Sequence, residues 1–121
     1  MSYTLFSSPG SAAMVVRILL DDIGADYDLI DVPISKSETR DPAHLAHNPN
    51  GWVPALVWDG GSMYEAAAIT VYLCDRYTDA GLGPRFDEEE RPVFLQTLVY
   101  FSNTVQTAFQ QYYYPERFAE H

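Results

Sequence analysis

Three short stretches carry residue types and spacings capable of chemistry. Ser7, Ser8 and Ser11 surround Pro9-Gly10 between a β-prone run and a helix-periodic run, so Ser11 is placed to cap a helix. Val53-Pro54 lies where an extended loop enters a strand. A cis proline there would leave the Val53 N–H and C=O turned outward to pair with a peptide ligand. Glu65-Ala66 opens a helix, where free N–H groups and the dipole favour an anion while the Glu65 carboxylate can meet an ammonium. A ligand group presenting both charges would fit. Asp41, His44 and His47 follow one another at three-residue steps, as metal ligands can, but the third leaves the helical face shared by the first two, and no metal is expected. No histidine is placed to activate a serine. Cys74 sits among apolar neighbours and reads as an inert core thiol. Being the single cysteine, it excludes a disulfide framework and a CxxC pair.

The elements that must position these residues follow from periodicity. Residues 3–6 form a strand ended by Ser7-Ser8-Pro9-Gly10. From Ser11 the apolar residues Ala12, Val16, Leu19, Leu20 and Ile23 recur at helical steps as far as Gly24. Residues 27–32 form a second strand, parallel to the first because a helix joins them. A polar segment, residues 34–50, holds at most one short helix around residues 42–47. Residues 53–58 and 62–64 flank Asp59-Gly60-Gly61 as a hairpin. A helix then runs from Glu65 to about Tyr77. Residues 79–86 form a linker, and Asp87 with Glu90 resembles a capping box that starts a long helix. Its apolar stripe is Phe94, Leu98, Phe101, Val105, Ala108, Phe109 and Tyr112. An α/β unit of about 80 residues cannot cover that stripe, so the chain is expected to be a fragment, or a truncated form that borrows helices from another subunit.

The 121 residues include 47% apolar and 14% aromatic side chains, enough to fill a core. Seventeen acidic residues against seven basic ones give a formal net charge of −10, which argues against nucleic-acid and anionic-membrane partners. The longest uncharged apolar run, residues 66–74, is about half a membrane span. A cytoplasmic protein is expected.

The serine-proline-glycine after the first strand, then NPNGWVPAL from Asn48 and YEAAAITVYL from Tyr64, resemble at this spacing the cytosolic glutathione transferases of bacterial type. The match covers residues 3–78. Residues 87–118 resemble the first helix of the all-helical second domain, including Tyr112, Tyr113 and Tyr114 before Pro115. The resemblance implies an α/β, thioredoxin-like domain of order βαβ-α-ββα over residues 1–78, and the start of an incomplete helical domain over residues 87–121. It implies a homodimer that binds glutathione and conjugates its thiol to an electrophilic small molecule. By this likeness Val53 and a cis Pro54 bind the cysteinyl part, and Glu65 and Ala66 hold the γ-glutamyl part. Ala66 keeps the N–H but lacks the usual hydroxyl, a loss on the order of 1 kcal/mol. Ala12 stands where many bacterial members carry Cys or Ser, so Ser11 is the nearest thiolate donor, unless it only caps the helix. Ser7, Ser8 and Tyr3 rank behind it. Trp52, Lys36, Arg40 and His47 are candidates for the glycyl carboxylate. Tyr112, Tyr113 and Tyr114 line an electrophile pocket, or else a bundle core or dimer contact. Weak or absent turnover is expected of these residues by themselves. The alternatives are a non-catalytic binding or assembly module of the same superfamily and a glutathione-dependent reductase or isomerase.

Overall fold

The structure, a computed structural model, describes residues 1–34 and 40–119. It divides into two compact units, Met1–Gly83 and Pro84–His121. In the first, strand β1 (Ser2–Ser7) leads into helix α1 (Ala13–Ile23) and back into β2 (Asp26–Asp31). Short helix α2 (Pro42–His47), the hairpin β3 (Ala55–Trp58) and β4 (Gly61–Tyr64), and helix α3 (Ala66–Arg76) complete it. The sheet order is β2-β1-β3-β4, with β2 parallel to β1 and the two remaining pairs antiparallel. This is the thioredoxin-like arrangement expected from the sequence.

Side chains alternate across β1, and that alternation divides the core. Tyr3 and Leu5 are buried on the face covered by α1 and α3, with Val16, Leu20, Leu56, Ile69 and Leu73. Phe6 points to the opposite face, where it clusters with Val32 and Ala55 and stacks on His44 of α2. The helix α1 turns on its C-terminal side through Gly24 at φ 73°, a conformation that a residue with a Cβ adopts only at a cost, and Ala13 rather than Ala12 joins its buried stripe. Cys74 is buried in α3, as expected of a core thiol. Strand β2 is an edge strand with Leu29 and Ile30 exposed, and Tyr27 within it donates its hydroxyl to Asp21 at 2.6 Å. That bond holds the Tyr27 hydroxyl above its ordinary pKa.

The second unit corrects one boundary. Its helix starts at Arg91, not Asp87: α4 (Arg91–Tyr100) passes through a π-helical turn (Phe101–Val105) into α5 (Gln106–Tyr113). The Glu88 carboxylate accepts the Arg85 N–H at 2.7 Å and the Glu88 carbonyl accepts the Arg91 N–H, so the acidic residues close separate turns before the helix. Pro92, which has no N–H to lose, falls in the first helical turn. The π turn also breaks the expected stripe. Phe94, Leu98 and Val105 are partly buried, whereas Phe101, Phe109 and Tyr112 are exposed. An i→i+5 turn inserts one residue and rotates everything after it. No described helix is long and apolar enough to cross a membrane.

The Tyr3 hydroxyl meets that of Tyr77, just past α3, at 2.8 Å. Burial, then this hydrogen bond, pushes its pKa far above its ordinary value near 10. The folded state therefore keeps a proton that the unfolded chain releases near pH 10. Stability should be intact below that pH and fall as pH rises above it. Urea unfolding across the alkaline range should show this slope reduced in Tyr3→Phe, with a loss of about 1 kcal/mol at neutral pH.

Candidate functional site

The sheet register carries three separate chain segments to one end of the sheet. Phe6 at the end of β1 pairs with Ala55 at the start of β3, and Ala55 pairs with Tyr64 at the end of β4. Residues 8–12 leaving β1, Val53–Pro54 entering β3 and Glu65-Ala66 leaving β4 must therefore emerge together. Val32, leaving the parallel β2, ties in through its N–H to the Ser7 carbonyl at 2.8 Å. Ser11, Trp52, Val53, Pro54, Glu65 and Ala66 thus share this end. Tyr3 does not, because it lies four residues back along β1, about 13 Å from Ser7, with its hydroxyl on Tyr77.

Ser11 is half-buried in the turn between β1 and α1. Its hydroxyl donates to the Ser8 carbonyl at 2.6 Å and accepts the Ala13 N–H at 3.3 Å. Ala12 occupies the N-cap position and has no side chain to cap with, so Ser11 serves a helix N–H from one residue earlier. A hydroxyl rotates freely, and reorienting its proton would let it donate towards a neighbouring anion.

Residues 48–54 form a turn whose polar groups are engaged from within and by Arg40 and His44. The Asn48 carboxamide accepts the Asn50 N–H at 3.1 Å, and the Asn48 carbonyl accepts that of Gly51 at 2.9 Å. Pro49 lies between them, and Gly51 has φ 72°. A Cβ on Gly51 would also meet the Arg40 side chain at 3.0 Å. Arg40 donates from Nε to the Gly51 carbonyl at 2.7 Å and lies 5.7 Å over the Trp52 ring, which is exposed. The Trp52 carbonyl receives two bonds, from Asn48 Nδ2 at 2.9 Å and His44 Nε2 at 3.0 Å. A carbonyl only accepts, so His44 holds its proton on Nε2. His44 Nδ1 is buried and has no partner among the described residues, a situation that costs about 1–3 kcal/mol. The Val53–Pro54 bond is cis.

Of the remaining sequence candidates, His47 is half-buried and packs against Phe6 at 6.2 Å, and Lys36 lies outside the described residues. Among the described residues no group of side chains could hold a metal ion. The sequence reading missed His44 and Asn48 as partners of Trp52. The Asn-Pro-Asn-Gly turn signal located Asn48, but nothing local marks the carbonyl that His44 reaches eight residues away.

Glu65 has φ 76° and ψ 108°, and it is the only described non-glycine residue with positive φ. This lies outside the ordinary left-handed region, and such a conformation costs about 1–3 kcal/mol. The side chain is exposed and makes no capping hydrogen bond. Helix α3 begins directly after it, with the Ile69 N–H on the Glu65 carbonyl at 2.9 Å. Glu65 thus stands at the N-cap of α3 and leaves the first-turn N–H groups uncapped by its side chain, and a carboxylate residue next to free helix-start donors is a combination able to take an ammonium and a carboxylate.

Residues 1–75 match the model of the glutathione S-transferase N-terminal domain. Glutathione S-transferase 2 of Schizosaccharomyces pombe is 35% identical over 103 residues, covering 81% of this chain and 45% of that protein. Glutathione S-transferase GstA of Escherichia coli is 30% identical over 114 residues, covering 93% of this chain and 57% of that protein. The chain spans about half the length of the curated relatives it matches. Among solved structures, a glutathione transferase homologue from Sulfitobacter with bound glutathione superposes with a TM-score of 0.86 at 27% identity, over 99% of this chain and 58% of that one.

Replacing Glu65 by glycine removes the Cβ clash behind the strained φ. Urea unfolding of Glu65→Gly should show a gain of about 1 kcal/mol, the strain relieved less the added chain entropy.

Proposed function

Because the chain belongs to the glutathione S-transferase family, we propose that it binds glutathione across this end of the sheet and activates its thiol for attack on an electrophilic small molecule. The observation that carries the reading is the register that makes the Ser11 turn, Val53–Pro54 and Glu65-Ala66 emerge together. In this reading Val53 pairs through its main chain with the cysteinyl part of the ligand, beside Trp52 and Pro54. Glu65 takes the γ-glutamyl ammonium, and the Ala66 N–H with the start of α3 takes the carboxylate. Ser11 turns its hydroxyl from Ser8 to the sulfur, aided by the positive end of α1. The thiol releases its proton to solvent, and the thiolate forms an S–C bond at the electrophilic carbon. The displaced electron pair departs with the leaving group or moves onto a conjugated acceptor atom. The electrophile, homodimer formation and a cytoplasmic setting are parts of the same proposal.

A second reading, a module that holds glutathione without activating it, is favoured by one observation. Ser11 already donates its proton to the Ser8 carbonyl at 2.6 Å, and Ala12 supplies no hydroxyl. The two readings separate on the pKa of the bound thiol. Glutathione should be titrated into the chain across pH with ultraviolet detection of the thiolate, beside Ser11→Ala. The transferase reading expects a bound thiol pKa below the free value of about 8.5, rising by about one unit in the variant, equivalent to about 1.4 kcal/mol. Binding without a lowered pKa supports the holding module. No binding overturns both.

A further inference from the structure

The peptide joining Trp52 to Val53 is trans, since Val53–Pro54 is the only cis bond among the described residues. In a planar trans peptide the C=O and N–H point in opposite directions, so whatever grips the Trp52 carbonyl also aims the Val53 N–H. Both grips come from one side: His44 Nε2 from within α2 and Asn48 Nδ2 from the residue that caps its end. The His44 ring is fixed in turn. It is 0% exposed and stacks on Phe6 with centroids 5.1 Å apart and planes 17° from parallel. Phe6 pairs with Ala55, one residue beyond the cis proline. A chain of rigid contacts therefore runs from β1 through the imidazole to the Val53 N–H.

The Nδ1 atom, buried with no partner among the described residues, is a second, independent sign. A phenylalanine at position 44 could stack on Phe6 and bury no polar atom. Histidine there carries an orphaned acceptor, and what it adds over phenylalanine is one donor, aimed at Trp52.

We propose that His44 is a positioning residue for glutathione recognition, holding the Trp52 carbonyl so that the Val53 N–H faces the main chain of the ligand. The inference rests on the reading that Val53 binds glutathione, and the test separates the two. Glutathione affinity is measured by calorimetry on the full chain and on His44→Phe and His44→Gln, with ligand-induced amide shifts of Val53 and Ala66 followed by heteronuclear NMR and folding by thermal melting. His44→Phe keeps the stack and removes the donor. It should raise Kd about fivefold to tenfold, the size of one neutral hydrogen bond. The Val53 shift should diminish while that of Ala66 persists, and His44→Gln, with its amide donor, should recover most of the loss. An unchanged Kd in His44→Phe, where the unmodified chain binds, overturns the role of His44 alone. A parallel loss at Val53 and Ala66 that tracks a lower melting point overturns it too, because it marks general loosening. Failure of the unmodified chain to bind glutathione overturns the functional reading and this proposal together.

Discussion

Phe6 pairs with Ala55, Ala55 pairs with Tyr64, and the remainder of the first unit takes its geometry from that register. Strand side chains alternate, so a slip of one residue would carry Phe6 to the α1 and α3 face and Leu5 to the α2 face. The slip would remove the stacking partner of His44 and with it the support of the turn that leads into Val53. It would also shift the ends of β1 and β4 relative to the entry of β3, so the three segments would no longer emerge level. Burial guards against this. Leu5 and Leu56, cross-strand partners, are both completely buried, and exchanging them for their neighbours would place the partly exposed Thr4 and Val57 in the core.

The loop ahead of β3 is ordered by polar groups. Asn48 uses both ends of its carboxamide, one on the Asn50 N–H and one on the Trp52 carbonyl, and Arg40 takes the Gly51 carbonyl. Turns of this kind are rigid because each buried polar group that loses a partner costs more than the bond gained by making it. The imperfections are concentrated nearby. Glu65 carries backbone strain, and His44 buries a nitrogen that has no partner among the described residues. Departures from the most stable arrangement gather where geometry serves something other than stability.

Much of this was legible in the sequence because it is local. The SPG turn, Gly24 as a helix stop and the Pro42 start of α2 depend on residues within a few positions of one another. The capping-box pattern near Asp87 is also local, and it misleads because the Glu88 carboxylate closes a separate turn onto the Arg85 N–H ahead of the helix. The π turn leaves no proline or glycine to announce it; Phe101, Ser102, Asn103, Thr104 and Val105 read as ordinary helix. The positive-φ backbone of Glu65 joins the hairpin before it to the helix after it, and no property of glutamate forecasts it. The spacing of His44 to Asp41 and His47 suggests a metal ligand because it is visible in the sequence, whereas its partner is a main-chain carbonyl that no side-chain pattern reveals.

The acidic balance sets a constraint of its own on any anionic ligand. With a formal charge of −10, the mean field of the chain opposes both the approach of carboxylates and the ionisation of a thiol. At physiological ionic strength that field decays over about 8 Å, so contact groups decide the outcome. The contact groups at this end of the sheet are mainly uncharged donors: the N–H groups opening α1 and α3, the Val53 main chain and the Ser11 hydroxyl. Such donors act only when aimed, since a dipole loses its advantage with misorientation far faster than a full charge does. Two places where a side-chain hydroxyl would help, Ala12 and Ala66, offer only main chain. Under the proposed function, recognition depends on how rigidly the backbone is held, and groups one layer behind the site, His44 and Asn48 on the Trp52 carbonyl, would act on binding through the main chain they hold.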